Sequence, residues 1–329
     1  MRMCRMPLEP PPAALVTRFT VDLLNLTSKL PDKFGVAVSG GPDSLALLVL
    51  ANAALPGIVH AATVDHGLRP ESLEEARFVA AVCADLGVPH EVLTPVWDDV
   101  PASNVPAGAR AGRYWALSGW AGRNCIDWIA TAHHVDDQAE TMLMRLARGS
   151  GVAGLAGVRA VNDFDAALSG KIVRPLLGWR KAELRAVVDA SGLRPVDDPT
   201  NDSDALDRTH VRRLLGDTLW LDAGRVAASA ANLFDAEEAL VWTAKRVVEA
   251  RLRSHRDCVV IDPRDLPREL QRRLLLCALD VFTDARAIPG PKLITLLDTL
   301  LGGRTGTLAD AKVESGETWR VSLAPPHRA

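Results

Sequence analysis

Ser39-Gly40-Gly41-Pro42-Asp43-Ser44 joins a short β-rich run to a helical stretch. Two glycines at that junction let backbone N–H groups come close to an anion, and the helix N-terminus adds a partial positive charge. The Walker A pattern GxxxxGK[ST] is absent, and no lysine stands in the loop. A tight turn with a serine or aspartate cap would explain Gly-Gly alone. The order strand–SGGPDS–helix, in the first βα unit, favours phosphate binding instead. A second cluster, Val64-Asp65-His66-Gly67-Leu68-Arg69, suits either a nucleotide contact or an Asx-turn. A third runs Thr131-Ala132-His133-His134-Val135-Asp136-Asp137-Gln138-Ala139-Glu140-Thr141. Asp137 and Glu140 stand three apart, and Asp136 and Glu140 four apart, so all three share one helical face. Carboxylates beside a phosphate site repel the phosphates unless Mg²⁺ or a cationic ligand stands between them. An acidic first turn meeting the helix dipole accounts for Asp136 and Asp137, but not for two histidines and Glu140. HExxH is absent and no third strong metal-ligand motif is visible. The fourth cluster, Asp197-Asp198-Pro199-Thr200-Asn201 with Arg208-Thr209-His210-Val211-Arg212, fits a phosphate or acidic partner and a solvated linker equally well.

Strands alternating with helices must position these clusters. Phe34–Ser39, Ile58–Val64, His90–Thr94, Cys125–Ala132 and Lys171–Pro175 read as strands. Asp43–Ala54, Glu71–Leu86, Ala107–Ala121, Asp136–Leu146 and Arg180–Ser191 read as helices, with Ser72 and Glu75 as a capping box. Strands apolar on both faces predict a parallel sheet covered by helices on each side. Ligands bind beyond the carboxyl ends of such strands, so the clusters after the first, second and fourth strands converge on one edge. After about residue 215 the alternation stops. Leu219–Arg253 reads as one Ala-rich helix or two, followed by the basic helix LPRELQRRLLLCALDVF, the helix LITLLDTLL and a final stretch of strands and turns. The expected division is a disordered leader over 1–20, a catalytic domain over 21–215, a helical linker over 216–255 and a small terminal domain over 256–329.

Composition narrows the class. At 329 residues, with 48% hydrophobic and 24% charged, the chain is globular and of two or three domains. A net charge of −3 speaks against binding nucleic acid by bulk charge, though not against a local basic patch. Arginines outnumber lysines 31 to 7, and eight fall between Arg251 and Arg286, which makes that region a candidate grip on nucleic acid. Five cysteines without a CxxC predict a reduced cytoplasmic protein with neither a disulfide framework nor a zinc knuckle. The longest apolar run, Leu45–Val59, is broken by Asn52, Pro56 and Gly57 and cannot span a membrane.

SGGPDS, VDHGLR, ARAGRY (Ala109–Tyr114), ATAHHVDDQAETMLMRLARGSG (Ala130–Gly151), RPLL (Arg174–Leu177) and DDPTN together resemble the tRNA(Ile)-lysidine synthases of the ATP-pyrophosphatase (PP-loop) superfamily. The likeness covers roughly residues 34–215. It departs at Pro106, where the family usually has an acidic residue, and at Thr209, where it has Asn. The resemblance implies an α/β, parallel-sheet, adenine nucleotide alpha hydrolase-like domain with a C-terminal helical and small α+β region. It implies a ligase that adenylates the wobble cytidine of a tRNA(Ile) with a CAU anticodon, releasing pyrophosphate. Free L-lysine then displaces AMP at C2 to give lysidine. ATP and Mg²⁺ are the implied cofactors, tRNA and lysine the partners, and a homodimer a candidate assembly. Ser39, Gly40, Gly41, Pro42, Asp43, Ser44, Asp65, His66, Arg113 and His133 are the expected ATP contacts, with Asp43 on Mg²⁺. Asp137 and Glu140 are expected to hold lysine, and Asp43, Asp137 and Glu140 to carry the chemistry. Arg110, Arg208, Arg212, Arg272 and Arg273 are expected tRNA contacts. A 2-thiolating relative and a non-catalytic nucleotide-binding module are the alternatives. The missing cysteine pair weighs against the first, the carboxylate set against the second.

Overall fold

A computed structural model describes residues 8–65, 71–95, 105–164, 170–195, 206–284 and 288–324, with the side chains at 71, 105–110 and 206–207 excepted. His66, the Arg110 side chain and the DDPTN segment lie outside the described residues. The chain divides into two compact units, 1–233 and 234–329.

The first unit opens with α1 (Ala13–Thr27), then β1 (Phe34–Ala37), α2 (Pro42–Ala54), β2 (Val59–Val64), α3 (Glu71–Leu86), β3 (His90–Leu93), α4 (Val105–Asn124) and β4 (Trp128–Ala130). It continues with α5 (Val135–Ala147), α6 (Val152–Leu155), β5 (Val161–Asp163), β6 (Lys171–Val173), α7 (Lys181–Ala190), α8 (Leu206–Asp217) and the start of α9 (Ala223–Arg251). The sheet order is β3-β2-β1-β4-β6-β5. All pairings are parallel except the edge strand β5, which runs antiparallel to β6. Chain order reverses between β1 and β4, which creates a crevice at their carboxyl ends.

Helices cover both faces of this sheet. α2 is buried continuously from Ser44 to Ala51, as an apolar-all-round helix must be, and packs against α1 and α7. On the other face Leu117, Trp120 and Ala121 of α4 meet Ile126, Ile129 and Ile172. Gly35 in β1 allows this approach, because a Cβ there would stand 2.9 Å from the Trp120 ring.

Two expectations need correction. The leader read over 1–20 is helical from Ala13, because Phe19, Leu23 and Thr27 form an i, i+4, i+8 stripe buried in the core. Arg18 and Asp22 on that helix reach Glu183 (2.7 Å) and the Trp179 indole N–H (2.8 Å), with the Arg18 guanidinium 4.2 Å over the Trp179 ring. Ser72, read as a cap before α3, stands within the helix, which already runs from Glu71, and donates to Asp65 Oδ1 at 2.7 Å.

The second unit holds most of α9, a single 29-residue helix. It then contains β7 (Leu252–Ser254), β8 (Val259–Ile261), α10 (Arg268–Leu279), α11 (Gly290–Leu301), β9 (Gly306–Leu308), β10 (Ala311–Glu314) and β11 (Trp319–Leu323). Its antiparallel sheet, ordered β7-β8-β11-β10-β9, packs on α10 and α11 through Ile261, Leu275, Leu297 and Val321. No helix among the described residues is long and apolar enough to cross a membrane.

Candidate active site

Two loops meet at the crevice. The loop after β1 turns at Gly40, whose φ of +90° is reserved for glycine. Gly41 precedes α2 with an ordinary φ of −73°, and Pro42 opens the helix. Ser44 is buried and braces the loop. Its hydroxyl accepts from Ser39 N–H (3.1 Å) and donates to Gly41 O (3.0 Å). A Cβ on Gly41 would meet nothing nearer than Ser39 Oγ at 3.8 Å. The protein's own packing therefore leaves a bare backbone here without needing one. Asp43 follows in the first turn, and its Oδ1 is buried with no hydrogen-bond partner.

The loop after β4 carries His133 and His134 into α5. His134 is 3% exposed. Its Nε2 lies 3.5 Å from Asp43 Oδ2 and 3.5 Å from Asp137 Oδ2, and its Nδ1 lies 3.4 Å from Asp136 Oδ2. Burial alone pushes this imidazole down. Hydrogen bonds to Asp136 and Asp43, with the charges of Asp137 and Asp43, outweigh it and hold the pKa up to about 10. The His134 hydrogen bond in turn holds Asp136 at about 2, against its burial and with help from Lys181 N–H. Asp136 N–H also points at His134 Nδ1 from 3.2 Å. One nitrogen cannot both accept there and donate to the carboxylate; with three carboxylates around the ring, the imidazolium form prevails and Nδ1 donates. His134 thus ties the first loop to α5, a role the sequence reading did not assign it. The adjacent histidine pair was its only signal.

Neighbouring elements hold α5 at both ends. Val135 N–H donates to Trp179 O (2.9 Å), and Asp136 Oδ2 accepts from Lys181 N–H (3.0 Å) at the start of α7. Asp137 Oδ2 accepts His134 N–H at 3.0 Å. Further along, Gln138 pairs with the Val158 backbone in both directions (2.9 and 2.6 Å), and Arg145 donates to Gly154 O and Gly157 O (2.7 and 2.9 Å). Gly157, at φ +72°, is required twice over, since a Cβ there would collide with the Gln138 amide. The glycine-rich turn after α5 is thus clamped by α5 itself.

Glu140, one turn beyond Asp137, is buried. Its Oε1 accepts from Arg212 Nε at 2.7 Å, and its Oε2 lies 3.4 Å from Arg208 Nε. Neither Glu140 Oε2 nor Arg208 Nε makes a hydrogen bond. Behind His133, at the end of β6, stands Arg174, only 2% exposed.

A family profile described as a PP-loop domain matches residues 15–219. A tRNA(Ile)-lysidine synthase of Zymomonas mobilis is 42% identical over 92% of this chain and 92% of its own length. That of Novosphingobium aromaticivorans is 43% identical over 89% of this chain and 90% of its own. The chain belongs to the tRNA(Ile)-lysidine synthase family. Among solved structures, the U34-tRNA thiolase NcsA of Methanococcus maripaludis superposes with a TM-score of 0.57. It covers 71% of this chain and 86% of that one at 17% identity, a likeness of fold alone.

Within this lysidine synthase family member, the crevice gathers Ser39–Ser44, His133, Asp137 and Glu140, with Arg208 and Arg212 brought to Glu140 by the packing of α8 on α5. Asp65 closes β2 and is held by Ser72. Arg113 is exposed on α4. Arg272 and Arg273, expected as tRNA contacts, are both paired with carboxylates of the second unit. Arg273 is 11% exposed and donates to both oxygens of Glu237 (3.0 and 2.7 Å) and to Glu269 (2.7 Å). Arg272 donates through two nitrogens to Glu269, at 2.7 Å each. These guanidiniums are engaged within the second unit, because α10 places them against the carboxylates of α9 and of its own first turn. Arg273 has all three of its nitrogens engaged in these ties, and Arg272 is held on Glu269 through two of its own.

Proposed function

We propose that the protein ligates free lysine to C2 of the wobble cytidine of a tRNA(Ile) with a CAU anticodon, in two steps at the β1–β4 crevice. One observation carries the assignment of residues. An anion-binding loop and three carboxylates share this sheet edge, and two carboxylate oxygens, Asp43 Oδ1 and Glu140 Oε2, are buried without hydrogen bonds. Asp43 Oδ1, a buried carboxylate oxygen beside a phosphate cradle, calls for a cation, and Glu140, whose Oε2 has only the 3.4 Å ion pair with Arg208, has room to accept a further donor.

In the first step the backbone N–H groups of Ser39–Ser44 receive the β- and γ-phosphates. Gly41 serves this approach, its bare backbone being unneeded for packing. Cytosine O2 attacks the α-phosphorus, the bond to the β-phosphate breaks, and pyrophosphate leaves. Asp43 Oδ1, a hard oxygen with no protein partner, fits a magnesium ion. When bound, that ion would neutralise charge on the phosphates. Ser44 holds the loop's shape and His133 faces the nucleotide. An anticodon loop is single-stranded, so its base can be splayed out and read on its edges.

In the second step the lysine ε-ammonium lies against Asp137 and Glu140. One carboxylate takes the proton that must leave before nitrogen is nucleophilic, and Asp137, the less enclosed, is placed for it. The amine forms the C–N bond at C2, the C2–O bond breaks, and its electron pair leaves with AMP. A second proton lost from nitrogen completes the exchange. Glu140 is held by Arg212 until lysine arrives, so the ammonium replaces or supplements that contact. Arg208 and Arg212, beside Glu140, are the cations that would receive a phosphate of the reacting nucleotide.

The test is incubation with unmodified tRNA(Ile), ATP and radiolabelled lysine. Lysine incorporation with one AMP and one pyrophosphate per event supports the reading. AMP release without lysine incorporation overturns it.

A further inference from the structure

We propose that Arg174 is a positioning residue that locks His133 as the neutral tautomer with its proton on Nε2, so that the ring serves as a hydrogen-bond donor to the nucleotide. The second clause rests on the functional reading above; the first does not.

β4 and β6 are neighbours in register, Ala130 beside Val173. The residues just beyond their ends, 131–133 and 174, therefore stand side by side at the carboxyl edge. Arg174 is fully buried. Its Nε–H donates to His133 Nδ1 at 3.3 Å, its Nη1 to Arg159 O at 2.6 Å and its Nη2 to the Tyr114 hydroxyl at 3.5 Å. A guanidinium has five donors, no acceptor, and does not lose its proton in proteins. His133 Nδ1 must therefore carry its lone pair toward Arg174. The Thr131 hydroxyl, 3.0 Å from the same nitrogen, could by itself either give or take a proton. Beside Arg174 it can only give. Two donors on Nδ1 leave the proton of the neutral ring on Nε2. A lysine at 174 could supply the charge but not the fork that reaches Nδ1, a main-chain carbonyl and a phenol together.

The lock is read directly by long-range proton–nitrogen spectra of full-length protein labelled at its histidine rings, without substrates. His133 is assigned by the signal lost in His133→Leu. An unprotonated Nδ1 with a protonated Nε2 is expected, and a mixture of tautomers in Arg174→Met. A wild-type ring protonated at Nδ1, or already mixed, overturns the proposal. Single-turnover pyrophosphate release should fall about tenfold to a hundredfold in Arg174→Met with the lysine KM unchanged, as for other residues that orient a functional imidazole. Arg174→Lys should recover part of it. Wild-type rates in Arg174→Met would reduce Arg174 to packing. Should Arg174→Met fail to fold, the wild-type spectrum and the Arg174→Lys rate decide. A locked ring with His133→Leu at the wild-type rate would instead sink the nucleotide role of His133 and leave the lock standing.

Discussion

Two buried glutamates that face arginines, one in each unit, are built to different specifications. In the second unit Glu237 and Arg273 are 7% and 11% exposed, and the guanidinium reaches both Glu237 oxygens and Glu269. In the first unit Glu140 is equally deep at 5%, but its arginines are 36% and 40% exposed, and Oε2 makes no hydrogen bond. Taking charges out of water is repaid only where the remaining lone pairs and protons are matched. Glu237–Arg273 meets that condition and acts as a tie between α9 and α10. Glu140 does not meet it, and an incoming ammonium would improve its surroundings. The depth of the two glutamates is the same; what separates them is the completeness of their pairing.

The comparison can be tested from both sides. Asp43→Ala should cut lysidine formation by at least about a hundredfold to a thousandfold while the thermal midpoint stays within a few degrees. An active variant would remove the first loop from the chemistry. Arg273→Ala should do the reverse, destabilising by about 3–5 kcal/mol in urea titration because Glu237 is left buried and unpaired. Weakened tRNA affinity at unchanged stability would restore Arg273 as an RNA contact. Asp137→Asn should raise the lysine KM or lower the rate at saturating lysine more than it changes ATP binding; unchanged lysine kinetics would exclude it. Arg212→Ala separates the two views of Glu140. If lysine displaces Arg212, lysine should raise the melting temperature of the variant more than that of the wild type. Equal shifts would mean that Arg212 stays in place.

The smallest effect concerns acid. The Arg272 hydrogen bond, with help from Arg273 and against burial, holds Glu269 below its ordinary 4.5. Stability from a depressed carboxylate is present above that ordinary value and lost as pH falls through the folded one. Glu269→Gln should flatten the decline of the thermal midpoint below about pH 4.5. Parallel declines in both proteins would place the loss elsewhere.

Much of the crevice was legible because backbone chemistry leaves local marks. Gly40 needs a positive φ, and Gly-Gly between a strand and a helix announces it. Asp137 and Glu140 share a face by helical spacing. Other features left no such mark. Residues 13–20 were hidden behind a proline-rich start, although Phe19 and Leu23 are spaced as a buried stripe. Arg174 appeared only as part of the RPLL signature, and His134 only as half of a pair. Arg273 looked like a free cation because its carboxylate at Glu237 is 36 residues away; Glu269, the partner of Arg272, stands only three residues before it.

The sequence by itself determined the order of the strands and helices it read, the glycine loop between β1 and α2, the acidic face of α5 and the family resemblance. Those rest on periodicity and on residues within a few positions of one another. Tertiary structure alone decided which charges are fully paired and which are not. Pairing depends on distances set by packing between remote elements: α8 against α5, β6 against β4, α10 against α9. Arginines of identical chemistry therefore end in a complete ion pair at Glu237 and in an incomplete one at Glu140.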